Sequence, residues 1–206
     1  MRHTAADRKY SGSGVRSRQK RAAVGGLIKR VFDIVFATLV LVVLAPVLVV
    51  TGPLIRLLLG TPIIVVERSV GLGGKVFALL RFRTEPTSAT SVNELTKAVT
   101  TALRESGIDK LPYLYNVLRG DMSLVGPELV GAHHTLRYGI EGPELLLARP
   151  GVVSVRRHAL LILHPSMGDI GPERLYILRW SLWLDLRILC GAFSRIHATD
   201  ANSPAK

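Results

Sequence analysis

A chain of 206 residues is long enough to bury a real core as one domain, or one domain with an appendage, and its single cysteine, Cys190, excludes an internal disulfide and a thiol cluster for zinc. A net charge of +12 coexists with a mean hydropathy of +0.32, a pairing rare in soluble proteins that points to an anionic surface, phosphate-rich or lipid. Nucleic acid is set aside, because no recognition motif or interleaving of aromatic and basic residues accompanies the charge.

Residues 1–28 are rich in Ser, Gly and Ala and carry seven Lys and Arg against the single acid Asp7. Such a segment cannot bury a core and reads as a disordered basic tail. Near anionic headgroups each cation contributes roughly 1 kcal/mol of attraction. Residues 29–60 read as a membrane-embedded hairpin or a transmembrane helix. Within them, Ile34 to Ile55 is a run of 22 residues without a charge, 15 of them Leu, Ile, Val or Phe. At about −0.3 to −0.6 kcal/mol each on the insertion scale, these favour the bilayer. Pro46 interrupts the run by removing a helix hydrogen bond and crowding the preceding turn. A kink there leaves a helix of about 33 Å that spans; a break leaves two arms that dip in and return. Lys29 and Arg30 before the run, and Arg56 and Arg68 after it, give a span no preferred direction and favour the hairpin.

The segment 61–195 is expected to be an α/β (α+β) catalytic-type domain, followed by a disordered tail at 196–206. Ile63–Val66 and Lys75–Phe82 read as strands of a hairpin around the Gly71–Gly74 turn. A polar stretch follows, with helical character towards residue 102 and an expected Glu94–Lys97 pair at i, i+3. The adjacent His133 and His134 read as a surface loop rather than a metal site. One apolar strand is expected at Ala159–Leu163. Glu173–Leu189 reads as a single helix, with Trp180 and Trp183 beside Arg179 and Arg187, suited either to the lipid interface or to core packing.

The motifs that carry chemistry are "LRFRT", "LRESGIDKLPYLYNVLRGDMSLVGP", "RPGV" and "YILRWSLWLDLRIL". With "KRVFDIVFATLVLVVLAPVLVV" and "ERSVGLGGKVFALLRFRT" they cover most of residues 29–190 in order. In these strings the chain resembles the bacterial sugar transferases, the monotopic phosphoglycosyl transferases that start surface glycans on a polyprenyl phosphate. The resemblance implies an enzyme at the cytoplasmic face of the bacterial inner (plasma) membrane, with a re-entrant helix and interfacial amphipathic helices. It would move a sugar phosphate from a nucleotide diphosphate sugar to undecaprenyl phosphate, releasing UMP. It further implies Asp109 as nucleophile, ping-pong kinetics, and Mg²⁺ balancing the diphosphate charge.

Phosphoryl transfer asks for positioning and for positive charge around phosphorus. Arg81, Arg83 and Arg104 supply guanidiniums whose fork suits phosphate oxygens, or else they are solvated on a sheet edge. Arg104 precedes Asp109 by five positions and needs a bend to reach the same phosphate. Asp109 before a helix is stabilised as the anion by free amides, with N-capping as its structural alternative. Three places depart from the family pattern. Lys110 stands where the family has a glutamate, and an ammonium cannot ligate Mg²⁺; beside Asp109 it is expected to depress the carboxyl pKa. Glu128 stands where the family has an arginine, and Pro150-Gly151-Val152-Val153-Ser154 differs from the family's usual Pro-Gly-Ile-Thr-Gly. These departures keep open a non-catalytic relative that scaffolds or regulates polysaccharide assembly.

Overall fold

The computed structural model describes residues 23–85, 93–131, 143–161 and 171–200. His133 and His134, and the greater part of both expected tails, lie outside them. Two apolar helices come first, α1 (Gly26–Val43) and α2 (Ala45–Leu59), bent by 64° at Leu44. Pro46 falls in the first turn of α2, where a missing N–H costs no intrahelical bond; the chain therefore breaks just before the proline. Among the described residues no single helix is long and apolar enough to cross a membrane, whereas the bent pair together has the length and composition of a broken span or a re-entrant loop. Large apolar side chains project from both arms, Val42 of α1 at 68% and Leu57 of α2 at 83% exposure.

Strands β1 (Ile64–Val70) and β2 (Val76–Phe82) form the expected antiparallel hairpin, with Val70 opposite Val76 and Ile64 opposite Phe82. Helix α3 (Glu94–Glu105) starts from Asn93, whose Oδ1 accepts from the Thr96 N–H at 2.8 Å. The exposed Glu94–Lys97 pair forms at 2.8 Å. Helix α4 (Tyr113–Arg119) packs Tyr113, Leu114 and Val117 on Phe77 and Leu79 of β2 and on Ala37 of α1. Asn116 stitches α4 to β2: its Nδ2 donates to Ala78 O at 2.7 Å, and its Oδ1 accepts from Leu80 N at 3.1 Å. Strands β3 (Ser123–Gly126) and β4 (Gly151–Ser154) pair in parallel. The fold is thus a mixed arrangement of helices and two small two-stranded sheets among the described residues.

Two expectations are corrected. Ala159–Leu161 ends a 3₁₀ segment, Arg156–Leu161, and the strand of this region is β4, because Gly151–Ser154 is what lies against β3 and His158 N then turns back to Val155 O. The single helix over Glu173–Leu189 is instead two, α5 (Pro172–Leu178) and α6 (Leu182–Asp200). Ser181 restarts the helix as a cap, its Oγ accepting from Leu184 N at 3.2 Å.

That break turns Trp180 and Asp185 inward. Asp185 accepts from Tyr176 OH at 2.6 Å, from Trp180 Nε1 at 3.0 Å and from Lys29 Nζ at 2.7 Å. Lys29 also lies 3.9 Å from Asp33, whose Oδ1 accepts from Ser123 Oγ and Leu124 N. The root of α1 is thereby fastened to both β3 and α6. Of the two indoles, Trp180 is spent on this buried cluster, and Trp183, 73% exposed, is the one that faces outward.

Candidate active site

Arg104 lies in the last turn of α3. The chain then reverses at Gly107, whose φ of 73° is a left-handed conformation that side chains disfavour. This is the bend that Arg104 requires. A 3₁₀ turn, Ile108–Lys110, presents Asp109, and Pro112 leads into α4. The apolar neighbours Ile108 and Leu111 pack against Ile55 and Leu59 of α2, Phe82 of β2 and Leu103 of α3. Asp109 therefore stands at the root of the apolar helix pair.

Asp109 is 3% exposed, and its Oδ1 is buried without a hydrogen-bond partner. Burial pushes its carboxyl above the usual range, while Lys110, Arg81 and Arg104 pull it back. The expected lowering by Lys110 is present but weaker than desolvation, so the net direction is upward. Two of the three arginines anticipated from the sequence, Arg81 and Arg104, thus act on this carboxylate together with Lys110.

Arg81 reaches the site from β2. Its Nη2 donates to Glu67 Oε1 at 2.7 Å, a diagonal pair across the hairpin, since Glu67 lies opposite Leu79. Its Nε is buried and unpartnered, like Asp109 Oδ1. Tyr113, four residues after Asp109, is buried at the same place. Desolvation, with Glu67 and Asp109 adding to it against Arg81 and Arg157, pushes its phenol up to about 12.

Arg83 is directed elsewhere. Its Nε donates to Glu85 O at 3.0 Å and its Nη1 to Thr61 O at 2.9 Å, which ties the end of β2 to the turn after α2. Glu128 belongs to a neighbouring charged group: its N–H donates to Glu173 Oε1 at 2.6 Å, and its carboxylate lies 4.0 Å from Arg156 and from Arg157. Glu67, Tyr113 and Arg157 were missed by sequence reasoning. An acid in an otherwise apolar strand and an aromatic four residues after the key aspartate were the available signals.

The groups around Asp109 offer little to the Mg²⁺ that the resemblance implies. Guanidinium and ammonium groups offer hydrogens and no lone pairs for a metal, and Glu67 is engaged by Arg81. Among the described residues no three His, Cys, Asp or Glu gather as a ligand set. The side chains around Asp109 do not fit a resident divalent cation.

The sequence that builds this site has relatives among known proteins. The sequence profile described as bacterial sugar transferase matches residues 24–199. The chain belongs to this family. It is similar to a UDP-glucose:undecaprenyl-phosphate glucose-1-phosphate transferase of Caulobacter vibrioides, 34% identical over 190 residues that cover 84% of this chain and 71% of that protein. A protein of the same name from Escherichia coli is 31% identical, the match covering 82% of this sugar transferase and 40% of the longer relative. A UDP-N-acetylgalactosamine-undecaprenyl-phosphate N-acetylgalactosaminephosphotransferase of Aeromonas hydrophila is 29% identical, over 79% of this chain and 42% of its own length.

Proposed function

We propose that this bacterial sugar transferase is a membrane-bound enzyme that moves a sugar phosphate from a UDP-sugar to undecaprenyl phosphate, the first committed step of an exopolysaccharide, capsule or O-antigen type glycan. The names of its relatives support both substrates. The observation that carries the assignment to this chain is the position of Asp109: a buried carboxylate with a free oxygen, within the field of Arg81, Arg104 and Lys110, at the root of α2.

In the first step an Asp109 oxygen attacks the β-phosphorus. The bond from that phosphorus to the bridging oxygen breaks, and UMP leaves with the electron pair. In the second step a phosphate oxygen of the lipid attacks the same phosphorus and displaces the Asp109 carboxylate, giving the diphosphate-linked sugar and restoring the enzyme. Arg81 and Arg104 orient the equatorial oxygens and offset their charge. Tyr113, kept un-ionised, offers a hydroxyl at the base of the site.

The membrane seat is the bent pair, Gly26–Val43 with Ala45–Leu59, which takes in nearly all of residues 29–60, with residues 61–195 as the catalytic part. A re-entrant course is supported by the anchoring of both outer ends to one domain, Lys29 and Arg30 of α1 to Asp185 and the α4 carbonyls, and Ile55 and Leu59 of α2 to Phe82 and Leu103. A straight span would carry those ends to opposite sides. Trp183 and Leu178 extend the apolar surface, and nucleotide sugars are supplied on the cytoplasmic side, which is the face proposed here. No structural feature among the described residues favours the scaffolding alternative.

The test is UMP release by the full chain in detergent, with undecaprenyl phosphate and a panel of UDP-sugars, against Asp109→Asn. Release from at least one sugar that is lost in the variant is expected; no release from any sugar, or equal release by the variant, would overturn the proposal.

A further inference from the structure

We infer that Lys110, with Arg81 and Arg104, takes over the charge neutralisation of the nucleotide diphosphate, so that this site binds its donor without a divalent metal. The inference deepens the reading of Asp109 as a UDP-sugar site and rests on it.

A diphosphate diester brings two negative charges. Beside the ionised Asp109 they make three, matching the three cations that act on that carboxylate. Glu67 draws on Arg81, but its side chain is 46% exposed, so water screens that pair, and such pairs are weak and readily exchanged. The Arg81 Nε–H is buried and has no acceptor, a donor awaiting a phosphate oxygen. A divalent ion beside Asp109 would meet the field of two guanidiniums and an ammonium, unfavourable next to a carboxylate that is itself 3% exposed. Magnesium held against phosphates also needs one or two protein carboxylates. Asp109, the buried carboxylate of the site, would then have to serve as metal ligand and nucleophile at once. Lys110 follows the nucleophile in the same 3₁₀ turn and is the foremost of the charges that act on its carboxylate. A flexible point charge there can follow the phosphorus through both displacements.

The experiment measures binding of UDP to the full chain by titration calorimetry, after removal of metal with EDTA and again with MgCl₂, using wild type, Lys110→Gln and Lys110→Glu. Wild-type affinity is expected to agree within about twofold between the two conditions. Lys110→Gln is expected to lose about tenfold in both, a factor equal to about 1.4 kcal/mol. Lys110→Glu, which creates a second carboxylate beside Asp109, is expected to bind poorly in EDTA and to recover with Mg²⁺. Wild-type binding that disappears in EDTA and returns with Mg²⁺ overturns the inference and leaves the UDP-sugar reading standing. Absence of UDP binding in both conditions overturns that reading and the inference with it. Elemental analysis of the purified protein supplies an independent readout: less than about a tenth of an equivalent of bound divalent metal is expected, and one equivalent contradicts the inference.

Discussion

Replacing Lys29 with Met keeps the length and apolar stem of the side chain but removes an ammonium that faces two buried carboxylates. Lys29 is 4% exposed and both aspartates 0%, so water does not enter to compensate. Its Nζ lies 2.7 Å from Asp185 and 3.9 Å from Asp33, and it stands 5.8 Å from the Tyr176 ring and 5.9 Å from that of Trp180. Taking one partner from a buried pair costs about 3–5 kcal/mol, because the charge left behind is desolvated and unmatched. Both carboxylates keep other donors, Tyr176 and Trp180 on Asp185, Ser123 and Leu124 on Asp33, which favours the lower end. About 3 kcal/mol corresponds to a fall in Tm of about 6–12 °C for a chain of this size. Thermal unfolding in detergent, followed by the fluorescence of Trp180, reads the change. In a double-mutant cycle with Asp185→Asn, the second substitution should cost less in the Met background, by about 1–3 kcal/mol. A loss below about 1 kcal/mol, or strict additivity, would refute the view that this cluster fastens the helix pair to the domain.

Further outcomes follow from the same geometry. Because burial raises the Asp109 carboxyl above its ordinary 3.8, the folded protein holds that proton more tightly than the unfolded chain. Its contribution to stability is complete below the unfolded value and is lost as pH rises through the folded one; the Tm of Asp109→Asn should lack that decline, and the acid limb of the wild-type rate should lie above 3.8. Arg83→Met should lower stability by about 1.5–3 kcal/mol through its lost bonds to Thr61 O and Glu85 O, with UDP affinity unchanged in the same titration. Arg104→Met should do the reverse, weakening UDP binding while leaving Tm within about 2 °C, as suits an exposed arginine. Gly126→Ala should prevent folding, since its Cβ would stand 2.3 Å from Arg149 O and 2.8 Å from Gly151 N; soluble, cooperatively melting protein would contradict the close crossing of β3 and β4.

The features legible in the sequence are those set by neighbours in the chain. The Gly71–Gly74 hairpin, the helical character before residue 102 with its Glu94–Lys97 pair, and the apolar run broken next to Pro46 all arise from local turn chemistry and periodicity. Asp109 and its two arginines were legible because a long motif fixes their order, and Gly107 makes the turn that joins them. Contacts between distant segments were not. Lys29 and Asp185 are 156 positions apart, and nothing near either announces the other, so the pattern around Trp180 did not separate an interfacial indole from what it is, a donor to a buried carboxylate. Arg83 and Arg81 are indistinguishable in "LRFRT", yet only Arg81 acts on Asp109, because Arg83 is held by Thr61 O and Glu85 O. The apolar "ALLIL" at Ala159–Leu163 is too short for periodicity to separate strand from helix, and the partner that decides the strand, β3, lies elsewhere.

The most direct measurement is the intact mass of the full chain after brief incubation with a UDP-sugar and no lipid acceptor. The account predicts a gain equal to one sugar phosphate, localised by peptide mapping to Asp109 and discharged on adding undecaprenyl phosphate. An unmodified mass in a sample that nonetheless transfers sugar phosphate to the lipid, or an adduct on another residue, would contradict it.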